Sequence, residues 1–522
     1  MPRRATPSGL GMSPRPTIRW LAGTPDACNA INRLRAGGAS PEILHTGPYR
    51  EIEAWAPHAS GTPTLVLKWF APRGSALRRG RDRLLARTTD AREWRALQAL
   101  ATADLPVPRP LAHGRLPSGE RVVAMEHVGE ASLLARLRTA SPDERRVLLA
   151  ALVDTVRRLH TAGFVHGDLH LGNLRATGES IQLLDLGRSR RTRSRRARER
   201  DLARLLHSLD RDADDADAAE TLHAAFGGGV SLDDALRAFL ADHARGRARR
   251  FLRVGARWQR LDPAPGWSGL GTSRFDAGAL TDALLRTEAV RVEAPRRSGR
   301  VTIEHLPGDG ASWIRKHAFA GSLRRAVADR GRGSPARRAF LRGERDRLIS
   351  RRAAPALAYL ERRVAGCAPE SLLLLERVGD VDLDAHHPDD AEEGRRLAFA
   401  LVDWLADQHA RGLGHRDAKG GNIRLEWADG GTPRFWWVDL EDLVGPVRLS
   451  EAARLHALVQ LNASLADEAF DPATRRDALA RYHARLPFTR PLERVAQEIH
   501  ARSLARNHRY RGGGAPIRRC SP

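Results

Sequence analysis

Two ten-residue stretches constrain this chain more than anything else in it, because they are one pattern met twice. Phe164-Val165-His166-Gly167-Asp168-Leu169-His170-Leu171-Gly172-Asn173 and Leu413-Gly414-His415-Arg416-Asp417-Ala418-Lys419-Gly420-Gly421-Asn422 each read His-x-Asp, with an Asn five residues beyond the Asp. Each leads into a short apolar strand that ends on a further acid, Leu183-Leu184-Asp185-Leu186-Gly187 and Trp436-Trp437-Val438-Asp439-Leu440-Glu441. Upstream landmarks keep the same order and nearly the same separation. Lys68 on the apolar run 65–70 is matched by Lys316, 248 residues on, and Glu93 by Glu344, 251 on. Met125-Glu126-His127-Val128-Gly129 is matched by Leu375-Glu376-Arg377-Val378-Gly379, 250 on; Asp168 and Asn173 are matched 249 on by Asp417 and Asn422. Asp185 and Asp439 lie 254 apart, a drift absorbed by a longer hairpin around Gly430-Gly431. Landmarks in one order at one offset mean a duplicated domain.

Local patterns give each copy its elements. Leu65-Val66-Leu67-Lys68-Trp69-Phe70 and Arg121-Val122-Val123-Ala124-Met125-Glu126 are strand-like runs. Between them, residues 90–100 keep a helical period through Trp94, Leu97 and Leu100, with Glu93 beside that face. Leu105-Pro106-Val107-Pro108-Arg109-Pro110 must be extended, since proline excludes helix. Ser141-Pro142-Asp143-Glu144 starts a helix, with Ser as N-cap, Pro in the first turn and acids at the positive end. That helix runs through Leu148, Leu152, Val156 and Leu159 into the His166 stretch. The expected organisation is a loosely ordered leader over 1–40, a first domain over 41–255, a Pro/Gly-rich linker over 256–289 and a second domain over 290–515.

The 522 residues are enough for two to four domains, each able to bury a core. The net charge is +24, and only Lys68, Lys316 and Lys419 are lysine; the other basic residues are arginine. An ammonium that contacts phosphate as a point charge differs from a guanidinium fork, so three surviving lysines mark positions that resist replacement. The basic excess favours an anionic partner such as phospholipid or a phosphorylated glycolipid. Nucleic acid is disfavoured: 5% aromatic content and no recognised binding module accompany the charge. Arginines at 188, 190, 191, 193, 195, 196, 198 and 200 form a run just after Asp185, where they could meet an acceptor's phosphates or the inner-membrane surface. Three dispersed cysteines make neither a disulfide framework nor a zinc site. With no signal-peptide core and no apolar span, the expected location is cytoplasmic, any membrane contact being peripheral on the cytoplasmic face.

The duplicated set is what phosphoryl transfer requires in that order. An Asp orients the attacking hydroxyl and takes its proton, while an Asn and a second Asp supply hard oxygen ligands for Mg²⁺. Each half resembles the protein-kinase-like fold, and most of all the bacterial lipopolysaccharide-core kinases that phosphorylate 3-deoxy-manno-octulosonate or heptose. The resemblance spans roughly 42–255 and, more loosely, 295–510. It implies an α+β chain of two consecutive bilobal domains, each with a β-rich N-lobe and a helical C-lobe. It further implies ATP as donor, bound by Lys68, Glu93 and Glu126, with Asp168 catalytic and Asn173 and Asp185 on the metal. In the second half the same roles fall to Lys316, Glu344, Glu376, Asp417, Asn422 and Asp439, and Lys419 matches a phosphate-contacting lysine of protein kinases. The implied acceptor is a sugar hydroxyl of the lipid A core. The alternatives are a small-molecule or protein kinase of the same fold, or one active half beside a regulatory pseudokinase half. Departures exist: Thr46-Gly47-Pro48-Tyr49 and Pro307-Gly308-Asp309-Gly310 are weak substitutes for a glycine-rich phosphate loop, and Glu441 replaces the glycine found at Gly187.

Overall fold

The computed structural model describes residues 17–506 apart from 38–39, 48, 57–63, 73–87, 130, 179, 214–215, 228–229, 249–250, 286–295, 299–300, 309–310, 320–326, 328, 330, 365, 429–430 and 468–469. Pro48, Asp309 and Gly310 of the two weak phosphate-loop candidates, Gly430 of the longer hairpin, and residues 1–16 of the expected leader lie outside the described residues. The chain divides into two compact units, Met1–Leu236 and Arg237–Pro522.

The first unit opens with a six-stranded antiparallel sheet in the order β1-β5-β6-β4-β3-β2. Its strands are β1 (Arg19–Gly23), β2 (Glu42–Thr46), β3 (Arg50–Trp55), β4 (Leu65–Phe70), β5 (Pro110–Arg115) and β6 (Arg121–Glu126). Alternation along β4 sends Leu65 and Leu67 to one face, where they join Ile31 and Val122 beneath the helix Pro25–Ala36. Phe70 joins a second core on the other face, with Trp94, Leu97 and Leu100 of the helix Thr89–Thr102. Period 2 therefore puts Lys68 on the Phe70 face, toward that helix. The chain then becomes helical. Helix Pro142–Thr161 is capped as its sequence requires: the Ser141 hydroxyl accepts from the Glu144 N–H, and the Glu144 carboxylate accepts from the Ser141 N–H. Beyond it, β7 (Phe164–Val165) pairs with β10 (Arg190–Arg191), enclosing the hairpin of β8 (Leu174–Thr177) and β9 (Ser180–Leu183). Helix Arg195–Ser208 follows.

The second unit repeats this order. A seven-stranded sheet runs β11-β12-β16-β17-β15-β14-β13, with β11 (Trp258–Leu261), β12 (Trp267–Thr272), β13 (Arg296–Ser298), β14 (Val301–Gly308), β15 (Ala311–Phe319), β16 (Ala356–Val364) and β17 (Cys367–Glu376). Helix Pro335–Ile349 lies between β15 and β16, and helix Ala391–Ala410 follows the sheet. β18 (Val381–Asp382), just before that helix, pairs with β20 (Ile423–Ala428) beyond it, and β19 (Gly414–His415) pairs with β22 (Leu443–Val444). β20 pairs in turn with β21 (Thr432–Trp437), and helix Glu451–Ser464 comes after them.

Two expectations need correcting. Residues 18–36 are not a loose leader: β1 pairs with β5, and helix Pro25–Ala36, capped by Thr24, buries Cys28 and Ile31 against the sheet. Residues 256–285, the described part of the expected 256–289 linker, are not a linker: β12 pairs with β16, and helix Ala277–Leu285 buries Leu280 and Leu284 against the second sheet, while 286–289 lie outside the described residues. The two segments are equivalent opening units of the repeat. Two of the glycines that made this segment look like a linker, Gly269 and Gly271, stand where a neighbouring strand and a helix approach closely. A Cβ on Gly269 would lie 1.9 Å from the Tyr359 carbonyl oxygen, and one on Gly271 2.6 Å from a Leu280 methyl.

Candidate functional site

In the first unit the predicted residues converge. β4 holds Lys68, 4% exposed, so that its Nζ donates to Glu93 Oε1 at 2.7 Å and to Asp185 Oδ1 at 2.8 Å. Glu93, 3% exposed, also accepts from the Leu186 N–H at 3.2 Å. A Cβ on Gly187 would lie 2.8 Å from Glu93 Oε2, so a larger residue there would displace that carboxylate. Asp185 sits in the left-handed region at φ 58°, a conformation Asp tolerates better than most residues. Arg50 on β3 donates to its Oδ2 at 2.8 Å. Burial opposes the charged form of Asp185, but Lys68 and Arg50 outweigh it and hold the carboxyl well below the usual carboxylate range.

The loop bearing Asp168 is fixed from below. His166 is fully buried; its Nδ1 accepts from the Asp168 N–H at 3.3 Å, so Nε2 carries the proton and donates to the Leu184 carbonyl at 2.9 Å. Burial pushes this imidazole below its ordinary pKa and keeps it neutral. Asp201 on helix Arg195–Ser208, 3% exposed, accepts from the His166 N–H at 2.5 Å and the Gly167 N–H at 2.8 Å. Asn173 donates through Nδ2 to the Asp168 carbonyl at 3.0 Å. Arg204 donates to Asp168 Oδ1 at 2.7 Å, and Arg188, which opens the arginine run, stands 3.7 Å from Oδ2. Glu126 ends β6, half its side chain exposed and 3.4 Å from Arg109. Arg50, Asp201 and Arg204 escaped the sequence reading because only folding brings them to the motif.

The second unit assembles a different network from matching residues. Asn422 Nδ2 donates to the Asp417 carbonyl at 2.7 Å and to its Oδ2 at 3.1 Å, and Lys419 Nζ lies 2.6 Å from the same Oδ2. His415 repeats the His166 arrangement, accepting from the Asp417 N–H and donating to the Asp439 carbonyl at 2.7 Å. Lys316 donates to the Val438 carbonyl at 2.8 Å and approaches Asp439 Oδ1 to 3.6 Å. Glu344, expected to orient Lys316, does not pair with it. This fully buried carboxylate meets Arg257 at 2.6 Å and Arg347 at 3.1 Å, the Arg257 approach lacking hydrogen-bond alignment. The reason is its place on the helix. Glu93 lies in the second turn of Thr89–Thr102, but Glu344 lies in the third turn of Pro335–Ile349 and faces another way. Arg338, in the first turn, instead makes ion pairs to Glu441 and to Asp329. Glu376 ends β17, 3.8 Å from Arg274.

The donor sets suit Mg²⁺, which takes carboxylate and carbonyl oxygens. Asn173 commits its amide nitrogen and so presents its oxygen, and Asp185 is held ionised; Asn422 and Asp439 offer the same pair. Among the described residues, no three His, Cys, Asp or Glu side chains cluster as a metal site without the asparagine. No helix among them is long and apolar enough to cross a membrane.

The lipopolysaccharide kinase (Kdo/WaaP) family model matches residues 75–226, which include Glu93, Asp168, Asn173 and Asp185. A 3-deoxy-D-manno-octulosonic acid kinase of Xanthomonas oryzae pv. oryzae (strain PXO99A) is 35% identical over 176 residues, 31% of this chain and 70% of that one. The kinase of the same description from Xanthomonas campestris pv. campestris (strain B100) is 32% identical over 182 residues, again 31% of this chain and 70% of its own. Among solved structures, WaaP in complex with acyl carrier protein is 20% identical, with 45% of this chain and 90% of that chain covered at a TM-score of 0.30. With seven-tenths of a curated kinase aligned at 35% identity, and a family model lying over the acids of the first site, the chain belongs to the Kdo/WaaP lipopolysaccharide kinase family.

Proposed function

We propose that the chain transfers the γ-phosphoryl group of ATP to a sugar hydroxyl of the lipopolysaccharide core, a 3-deoxy-D-manno-octulosonate residue being the acceptor suggested by its relatives. The observation that carries this reading is the buried Lys68 joined at once to Glu93 and Asp185, beside an Asp168 loop tied down by Asn173. On this reading each unit is a bilobal kinase-like domain, the first over about 17–236 and the second from about 256 to 506. Lys68, kept in place by Glu93, meets the donor's phosphates, and the strand end at Glu126 is where adenine is received. Asp168 aligns the acceptor hydroxyl and takes its proton as the new P–O bond forms and ADP leaves. Asn173 and Asp185 would hold Mg²⁺, whose charge offsets that of the phosphates. Lys316, Glu376, Asp417, Lys419, Asn422 and Asp439 offer the corresponding groups in the second unit. The exposed arginines 190, 191, 193, 195, 196 and 200 follow directly on the site and suit an anionic glycolipid or the bilayer that carries it.

The test uses the full chain, labelled ATP and lipid A bearing 3-deoxy-D-manno-octulosonate. Asp168→Asn should lower transfer by about 10²–10⁴-fold, the usual worth of such acid–base assistance, while ATP still binds through Lys68 and Asp185. An Asp168→Asn protein with unaltered product and turnover would move the chemistry to Asp417.

One observation favours a second reading, in which the second unit regulates the first. Glu344 is engaged by Arg257 and Arg347, and Lys316 donates to a backbone carbonyl, so the lysine is not oriented as Lys68 is. Asp417→Asn would then alter affinity or rate without removing a product.

A further inference from the structure

We infer that Arg204 and Gln460 are positioning residues for the two loop aspartates, and that the cation beside each aspartate is supplied from a different element in each unit. This rests on the reading of Asp168 as the acceptor-orienting group. The helix after the loop presents the same face in both units. In the first, Asp201, Arg204 and Ser208 share one face of Arg195–Ser208. Ser208 Oγ accepts from the Leu171 N–H at 3.1 Å, and Arg204 Nη1 donates both to the Gly167 carbonyl and to Asp168 Oδ1. In the second, Ser464 Oγ accepts from the Gly420 N–H at 2.8 Å. Leu171 and Gly420 each stand three residues after the aspartate, so the two serines correspond, and so do the residues four before them, Arg204 and Gln460. Gln460 Nε2 donates to the Arg416 carbonyl at 3.0 Å and to Asp417 Oδ1 at 3.4 Å, the same two acceptors that Arg204 takes. Its Oε1 accepts from the Ala418 N–H at 2.8 Å.

The difference between the units is the charge. Gln460 is neutral, but Asp417 has an ammonium from its own loop, Lys419 at 2.6 Å. His170 stands at the place of Lys419 in the first unit; its Nδ1 accepts from the Gly172 N–H and is turned back on its own loop. There the close cation comes from the helix, through Arg204, with Arg188 a more distant second at 3.7 Å. Each aspartate thus has one donor from the helix and one cation within 2.7 Å, but only Arg204 does both jobs in one side chain. Arg204 holds Oδ1 and the preceding carbonyl, which fixes the carboxylate plane. Its bonds to Gly167 and Asp168 act on the aspartate loop, so its loss should act on turnover rather than on ATP.

The experiment uses the full chain in an Asp417→Asn background, with ATP and lipid A bearing 3-deoxy-D-manno-octulosonate as probe. Arg204→Gln should lower kcat by about 10²-fold, the scale of a misplaced catalytic group, with KM for ATP unchanged. Arg204→Gln combined with His170→Lys copies the second unit's arrangement and should recover most of that loss. Arg204→Lys, which keeps charge and donor, should fall between and serves where Arg204→Gln melts early. If Arg204→Gln and Arg204→Lys both keep full kcat while Asp168→Asn abolishes transfer, the positioning role is wrong and the functional reading stands. If Asp168→Asn is harmless, the functional reading fails first. A double variant as slow as Arg204→Gln alone overturns the relocated cation.

Discussion

Lys68 and Lys316 show at the residue scale how one sequence landmark acquires two environments. Lys68 and Glu93 are almost wholly enclosed, with 5% and 4% of their side chains exposed, so removing one charge leaves the other buried. Glu93→Gln should cost up to about 3 kcal/mol, less than a fully orphaned charge because Asp185 remains, and should also depress turnover. Urea denaturation and a transfer assay would read the two effects. Glu344→Gln should leave turnover unaltered, since that acid is spent on Arg257 and Arg347. Burial pushes four histidines, His166, His415, His409 and His456, below the ordinary imidazole pKa, His409 to about 3 with Arg454 adding to the effect. Their folded-state values lie below the unfolded value of about 6.5. The stability they contribute is therefore complete above about pH 6.5 and is lost as pH falls toward the folded values. Asp346, raised by burial to about 6, and Glu344, also raised by burial, work the other way: their contributions are complete below about pH 4 and are lost as pH rises through the folded values. Four groups against two predicts a lower urea midpoint at pH 5 than at pH 7, and His409→Gln should flatten that difference.

Between β7 and β10 the chain makes the turn that presents Asp168, and Gly167 permits it. Its φ is +77°, and a Cβ would lie 2.5 Å from the Arg188 carbonyl oxygen. Gly167→Ala should cost about 1–3 kcal/mol from backbone strain and displace Asp168, lowering turnover more than ATP affinity. Arg416 occupies the same place in the second unit without a positive φ, its N–H donating to the Asp442 carbonyl, so Arg416→Ala should leave that turn intact. How much of this was legible in advance follows from range. The Ser141 capping box, the β4 strand and the motif loops are set by neighbours a few residues away, and the sequence patterns named them. The opening strand–helix units were not legible. β1 finds its partner β5 some ninety residues on, and in its equivalent β12 Gly269 answers to the Tyr359 backbone across the sheet and Gly271 to Leu280 on the following helix. Nor could Arg204, Asp201 or Gln460 be found from spacing, because a helix beyond the motif delivers them. Glu344 misled for a related reason: an acid at the right offset was on the wrong turn of its helix.

Over the whole molecule, the same order of landmarks carries two different side-chain networks, and the nucleotide is the probe that separates them. The first unit holds Lys68 by two carboxylates, Glu93 and Asp185, ready as a fixed ammonium. In the second unit Lys316 is held by the Val438 carbonyl and stands 3.6 Å from Asp439, with no counterpart of the Glu93 bond because Glu344 is engaged by Arg257 and Arg347. A charge-assisted hydrogen bond contributes about 1.5–3 kcal/mol, so losing that readiness corresponds to roughly a tenfold to hundredfold weaker site. Titration calorimetry of Mg·ATP into the intact chain should accordingly show one tighter and one weaker event. Asp185→Asn should remove the tighter event and Asp439→Asn should leave it in place. The pattern would also assign the basic excess: with +24 of net charge, both events should weaken as salt is raised, and the separation between them should persist, because it arises from buried contacts that salt screens poorly. Two events of equal affinity, both insensitive to Asp185→Asn, would show that the Lys68 network does not govern nucleotide binding, and the division of roles between the units would fall with it.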